Sequence, residues 1–347
     1  MKAFMINKPG EHSIAHNVEK PTITEDEVLV RVRRVGFCGS DLNTFRGTNP
    51  IVQYPRIPGH EIAAEVVERG ANVPEKFRTG DKVLILPYTT CGECWSCLNN
   101  RPNACKSNKT LGVQQDGGMT EYLAVRHEKL IGGINHMSLD EIALVEPLAV
   151  GFHAAYRGEP KKGETLLVFG CGLVGLGAIA GGSQAGAKVI AVDIDDGKLE
   201  LARKFGASHG INSMTRNLEE EVMKLTDGHG ASVTVEAIGL GQTFVSAVNL
   251  AAFSGRVVYV GYVKDAVAFD TKHFIMKEIQ IRGSRNALKS DFENVLKFMS
   301  SEQPPLDELI SMEVPLEEAG AALQQWADNP GAITKILVSF DEDGKEG

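Results

Sequence analysis

Long apolar runs, positive charge and cysteine are all scarce in this 347-residue chain, and each scarcity closes off a class of function. No stretch of 18 or more apolar residues occurs, which argues against a membrane-spanning helix. Lysine and arginine number 36 against 45 aspartates and glutamates, a net charge of −9 with no long basic run. Nucleic acid and anionic membrane surfaces are therefore not expected as partners. Six cysteines are too few for a disulfide scaffold of this length, and the opening Met1-Lys2-Ala3-Phe4-Met5-Ile6-Asn7-Lys8-Pro9 lacks the apolar core of a secretory leader. A reduced, cytoplasmic protein is the expectation. Neither a solenoid-period repeat nor a low-complexity tract is present. What the chain does have is 43% apolar residues, enough to bury two cores, so two domains are expected.

Four of the six cysteines, Cys91, Cys94, Cys97 and Cys105, fall within one fifteen-residue stretch. Four thiolates at this spacing complete a tetrahedral zinc shell with no open position, so this metal should brace a loop while the chemistry lies elsewhere. An iron-sulfur cluster matches the first three spacings, but seven residues rather than three precede the fourth cysteine, and Lys106 rather than proline follows it. Unliganded buried thiols fit poorly with Gly92, Glu93, Ser96, Asn99 and Pro102, which describe a polar loop.

The first 150 residues read as short strands punctuated by Gly, Pro and Asn: 28–35 alternates, and 62–67 and 82–86 are short apolar runs. From Glu164 the pattern changes to strands at 165–169, 188–192, 232–236, 256–260 and 278–281, with helix-period segments between them. That alternation predicts a doubly wound parallel sheet, so the fold class is α/β with a β-rich first domain. Helices are expected at 291–299 and 316–328, and a last strand at 332–339. The expected division is 1–150, 151–285 and a C-terminal segment 286–347.

The strand at 165–169 runs into Gly170-Cys171-Gly172-Leu173-Val174-Gly175, and a small-residue helix follows. A lone G-x-G-x-x-G is weak, but strand, glycines, helix and second strand occur here in order. Gly170 permits the tight turn, Gly172 lets the backbone approach a pyrophosphate, and Gly175 allows helix and strand to pack closely. Asp193 ends the second strand, 21 residues after Gly172, where a carboxylate bonds ribose hydroxyls and disfavours a 2′-phosphate. NAD is the expected cofactor, with Leu173, Val174, Lys198, Gly261 and Arg285 completing its contacts. Cys171 is expected to be a small packed residue.

Three further elements stand out: Gly36-Phe37-Cys38-Gly39-Ser40-Asp41, Gly59-His60-Glu61 and Glu146-Pro147. Singly they are unremarkable. Together with the cysteine lobe, the glycine fingerprint and Asp193, they make the whole chain resemble the medium-chain zinc-dependent alcohol dehydrogenases, in the branch of sorbitol, threonine and sugar-acid dehydrogenases. The resemblance implies a GroES-like catalytic domain, to which the C-terminal segment returns, joined to a Rossmann domain. It also implies two zinc ions per chain, one structural and one catalytic. Cys38, His60 and either Glu61 or Glu146 would ligate the catalytic zinc with one position open, as suits a Lewis acid acting on a hydroxyl. By the same resemblance Ser40 takes the alcohol proton and passes it on, and Asp41 fixes the imidazole of His60. Relatives carry a relay histidine where this chain has Asn43, which cannot titrate.

Gln53-Tyr54-Pro55-Arg56, the run 111–122 and Gly283-Ser284-Arg285-Asn286-Ala287 resemble bacterial dehydrogenases of L-galactonate or L-gulonate. On that likeness the substrate is a polyol or sugar acid, with Ser40, Tyr54, Gln114 and Arg285 as contacts and Gln115 as a further hydroxyl partner. Arg285 would bond a carboxylate or several hydroxyls. His153 is read either as close to the cofactor or as a helix-packing residue. Threonine- or sorbitol-dehydrogenase-like activity and a catalytically weak NAD- and zinc-binding regulator are the alternatives. By analogy with relatives, a homodimer or homotetramer is expected.

Overall fold

The computed structural model describes residues 1–341. Two compact units divide the chain: Met1–Glu146 with the segment from Leu306 onward, and Pro147–Pro305.

In the first unit, among the described residues, a seven-stranded sheet runs in the order Met312–Pro315, Ile336–Ser339, Glu27–Gly36, Glu61–Arg69, Lys82–Ile85 and Leu130–Ile131, with Tyr122–Arg126 also paired to Glu27–Gly36. Val28, Val30, Val32 and Val35 are fully buried, and they join Phe4, Phe37, Ile62 and Phe77 in one core. Near-alternation along the strand produces that burial, and ladder slips at Leu29/Val30 and Val32/Arg34 shift its phase. Two pairings fix the functional region. Gly36 lies opposite Glu61. On its other side Gly36 lies opposite Leu337, so strand Ile336–Ser339 brings Lys335 to the same corner.

In the second unit a six-stranded parallel sheet has the order His209–Asn212, Lys188–Asp193, Thr165–Phe169, Ala231–Glu236, Ala251–Tyr259 and Gln280–Gly283. Leu166, Leu167, Val168 and Phe169 are all fully buried, the continuous apolar run that a strand covered on both faces requires. The strand order reverses beside Thr165–Phe169, which is where such sheets open a ligand crevice at their carboxyl ends.

Several sequence expectations differ from the structure: the strands expected at 332–339 and 278–281 are Ile336–Ser339 and Gln280–Gly283, and the hairpin Ala3–Lys8 with Glu11–Ala15 was not expected. The strand His209–Asn212 was not predicted, because a four-residue edge strand with His, Gly and Asn carries almost no apolar signal. The expected return at 286 comes instead at Leu306. Helix Lys289–Glu302 stays with the parallel sheet because Phe298 packs against Phe152 and Phe205, with ring centroids 5.7 and 6.1 Å away.

Candidate active site

The cysteine lobe is built from a one-turn helix, Trp95–Leu98, and a tight turn, Pro102–Ala104, that brings Cys105 back to the other three. Sulfur separations are 3.5 Å for Cys94–Cys97, 3.8 Å for Cys94–Cys105 and 3.5 Å for Cys105–Cys91. A disulfide would need about 2.05 Å. A tetrahedron of sulfurs each ~2.3 Å from a zinc ion has edges of about 3.8 Å, so the set fits zinc. The amides of Cys91 and Cys94 donate to Cys105 Sγ and Cys91 Sγ at 3.3 and 3.4 Å, as thiolates require. The Ser96 hydroxyl and the amides of Cys97 and Lys106 pull Cys94 down to about 5.

Cys38 follows the end of strand Glu27–Gly36 and caps helix Gly39–Phe45, while His60 and Glu61 open the neighbouring strand. Their donor atoms all lie within 4.8 Å of one another. Glu146, in the first turn of helix Val145–Arg157, is buried nearby and accepts a 2.5 Å hydrogen bond from the Tyr88 hydroxyl. Tyr88 was not anticipated; a tyrosine two residues before a polar turn gives no sign of its partner. Burial pushes the Asp41 and Glu146 carboxyls up. Burial alone would lower His60, yet Cys38, Asp41 and Glu146 together hold it well above 6.5. Acidic groups thus crowd a dry pocket, the electrostatic setting that a divalent cation complements.

Two buried polar atoms on the segments that carry Cys38 and Glu61, Ser40 Oγ and His60 Nδ1, have no hydrogen-bond partner among the described residues. An unpaired buried polar atom costs about 1–3 kcal/mol, so both fit a pocket whose chemistry includes a bound metal and substrate. The expected Asp41–His60 hydrogen bond is absent among the described residues. Asp41 instead accepts from the backbone amides of Cys38 at 2.9 Å and Gly59 at 3.4 Å. It therefore ties together the two backbone segments that carry the ligands rather than the imidazole itself.

In the second unit, Gly170 has φ of +92°, a left-handed conformation open to glycine, and a Cβ at Gly175 would sit 1.8 Å from the Gly170 carbonyl oxygen. A Cβ at Gly172 would meet nothing within 4 Å. Gly172 caps helix Leu173–Gln184, so the helix N-terminus and an unobstructed backbone face the same space, as a pyrophosphate requires. Asp193 accepts from the Cys171 amide at 2.8 Å and from the amides of Ile194 and Asp195 at 2.8 and 3.2 Å. This places its carboxylate beside the fingerprint. The Lys198 amide caps onto Asp195, and Gly261 packs on Glu236, whose Oε2 would lie 2.2 Å from an added Cβ. Glu236 is a further residue that sequence reasoning passed over. Fully buried, it accepts from the amides of Ile238 and Gly239 and from the Thr243 hydroxyl, fixing the loop beside Gly170. Burial and Asp193 push the Cys171 thiol far up, which makes it inert.

The substrate candidates divide. Ser40 lies in the first turn of helix Gly39–Phe45, two residues after Cys38, whereas the Tyr54 hydroxyl donates to the Thr44 carbonyl, and Gln114 Oε1 accepts from the Thr110 amide at 2.7 Å. Gln115 donates to the Thr89 hydroxyl at 3.2 Å. Arg285 belongs to the other unit, exposed and two residues beyond strand Gln280–Gly283. His153 is buried with its Nδ1 2.8 Å from Asp291 Oδ2, joining two helices, as the packing alternative had it. Asn43 is exposed, and its carbonyl and amide oxygens take up Thr48 in the turn after helix Gly39–Phe45.

Residues 24–134 match the alcohol dehydrogenase GroES-like domain, and residues 174–301 match the zinc-binding dehydrogenase domain. The chain is 34% identical to an uncharacterized zinc-type alcohol dehydrogenase-like protein of Haemophilus influenzae, over 98% of this chain and 99% of that one. It is 31% identical to L-galactonate-5-dehydrogenase of Escherichia coli, over 93% of this chain and 94% of the relative. Its fold matches a crystal structure, described as a short chain alcohol dehydrogenase of E. coli CFT073 complexed with NADH, with a TM-score of 0.89 at 29% identity, covering 98% and 99% of the two chains.

Proposed function

The chain belongs to the zinc-dependent medium-chain alcohol dehydrogenases, oxidoreductases that use a nicotinamide cofactor, and from that premise we propose that it oxidises a secondary hydroxyl of a sugar acid such as L-galactonate or L-gulonate, or of a polyol, with NAD⁺. The observation that carries the reading is the convergence of Cys38, His60 and Glu61 in one chain with a glycine fingerprint closed by Asp193. When bound, zinc supplies Lewis acidity toward the substrate hydroxyl, and the nicotinamide supplies the hydride acceptor. Ser40, whose buried hydroxyl has no partner among the described residues, accepts the hydroxyl proton while giving up its own to water. Asn43 holds a turn and relays nothing. Asp41 keeps the Cys38 and Gly59 backbones in register so that the ligands stay convergent. Tyr88 orients Glu146. Asp193 selects NAD, because a 2′-phosphate there would face a carboxylate. Arg285 is assigned to the substrate carboxylate, a match that guanidinium geometry favours.

A panel of aldonates, polyols and L-threonine with NAD⁺ and NADP⁺ tests this. Turnover on threonine alone, or a preference for NADP⁺, would overturn the substrate or cofactor assignment respectively. Cys38→Ser should abolish turnover and leave NAD binding intact; a parent protein inert toward every alcohol would favour a regulator. We also propose a homodimer or homotetramer joined at the edge strand Gln280–Gly283, whose Ile281 is exposed. A monomer by sedimentation would refute it. Among the described residues no helix is long and apolar enough to cross a membrane.

A further inference from the structure

We infer that Lys335 is a positioning residue of the metal pocket: its ammonium grips both oxygens of Glu61 and competes with the metal for them, keeping Glu61 a weak, exchangeable ligand. The inference rests on reading that pocket as a zinc site. Lys335 Nζ lies 2.8 and 2.5 Å from the two Glu61 oxygens and 2.8 Å from the Phe37 carbonyl oxygen. An ammonium has three N–H donors, and three acceptors surround it. Lys335 is 3% exposed and Glu61 is fully buried, so water does not dilute the contact.

The backbone enforces this arrangement. Gly36 faces Glu61 across the ladder, and a Cβ there would lie 1.9 Å from Glu61 Oε2, so the glycine is what lets the carboxylate lie over the strand. Phe37 N–H donates to the Ile336 carbonyl at 3.0 Å, which locks the residue after Lys335 to the strand leading to Cys38. The lysine therefore has a fixed position, set by pairing between residues about 300 apart.

The consequence follows from charge. A carboxylate oxygen that is already bonded to a cation donates less to a second cation, and the two cations repel. Glu146 differs in kind, because its partner Tyr88 is a neutral hydroxyl that orients the carboxylate without cancelling its charge. The two carboxylates of the pocket are thus unequal: Lys335 bonds both Glu61 oxygens directly, whereas on Glu146 its charge acts only from a distance.

Metal-free protein titrated with zinc against a chromophoric chelator tests this, and Cys38→Ser identifies which of the two expected zinc equivalents belongs to the pocket. Lys335→Met should bind the pocket zinc at least about tenfold more tightly, within the range over which outer partners tune metal sites. Zinc should also raise its melting temperature more than it raises the parent's. Lys335→Arg should stay near the parent, and Glu61→Gln/Lys335→Met should lose the gain. Parental or weaker zinc affinity in Lys335→Met would overturn the inference. If Lys335→Met folds only with zinc, the metal has replaced the lysine as counter-ion, which supports it. Failure to fold even with zinc, while the double variant folds, would mean the metal does not reach Glu61 and would overturn it. Unchanged zinc stoichiometry in Cys38→Ser would instead sink the zinc reading itself, whatever Lys335→Met does.

Discussion

Gly175→Ala and Gly172→Ala should separate stability from cofactor binding, although the two residues lie three apart at one helix N-terminus. At Gly175 the new methyl would lie 1.8 Å from the Gly170 carbonyl oxygen, whereas carbon–oxygen contacts belong near ~3.3 Å, so loop and helix must part by about 1.5 Å. The obstacle is backbone, so no rotamer change relieves it. Alanine gains about 1 kcal/mol of helix propensity, while overpacking of this kind costs about 1–3 kcal/mol before the displaced hydrogen bonds are counted. The cost wins, and a net loss of about 1–2 kcal/mol is expected. At Gly172 nothing lies within 4 Å of the added methyl, and the backbone is extended at φ −71°, ψ −178°, which alanine adopts freely. Denaturation of the cofactor-free protein should therefore leave Gly172→Ala within about 0.5 kcal/mol of the parent. NADH titration should nevertheless show weakened binding, because the methyl occupies the pyrophosphate's approach. A Gly175→Ala protein as stable as the parent, or a Gly172→Ala protein with parental NADH affinity, would refute this assignment of the two glycines.

Asp193→Ala should weaken NAD more than NADP and, by orphaning the Cys171 amide, cost about 1 kcal/mol of stability; dissociation constants for both cofactors check this, and unchanged discrimination counts against it. Cys97→Ser should release the lobe zinc and lower the melting temperature or disrupt assembly before it slows hydride transfer; turnover lost with the fold and assembly intact would refute the division between bracing and catalytic metal. Burial pushes Glu164 up, but the Arg256 guanidinium at 2.6 Å and the Lys161 amide together outweigh it and hold the carboxyl below 4.5. A depressed carboxylate stabilises above its unfolded value and loses that contribution as pH falls through its folded value. Glu164→Gln should thus be less stable than the parent at pH 7, with the difference closing below about pH 4.5; a pH-independent difference in chemical denaturation would show that the ion pair is not its source.

What the sequence revealed was local. The cysteine spacing, the fingerprint with its flanking strands, and the fully apolar run at 165–169 each carry their meaning within a few residues, and the structure places them as that local chemistry requires. What stayed hidden was non-local. The family resemblance pairs Asp41 with His60, yet the approach of the segments after Gly36 and before Glu61 gives it the amides of Cys38 and Gly59 to bond first. Tyr88 reaches Glu146 across 58 residues, and nothing near either position announces the pair. Glu236 looked like the last residue of a strand, and only the turn after it shows that it accepts hydrogen bonds from three groups.

Lys335 is the extreme of this non-locality, and it bears on how the pocket comes into being. A lysine near the end of a chain is normally solvated, since lysines are rarely fully buried unless paired. Here its partner is 274 residues away. Until strand Ile336–Ser339 pairs with Glu27–Gly36, Glu61 sits opposite Gly36 with no lysine to balance it, and a buried carboxylate without a counter-ion is too costly to persist. The proposed metal ligands Cys38 and His60 therefore depend on strand Ile336–Ser339, about 300 residues away in sequence. Interrupting this unit with the whole of 147–305 places that closing strand after the parallel sheet in sequence. Completion of the pocket must accordingly await strand Ile336–Ser339, whichever unit folds first.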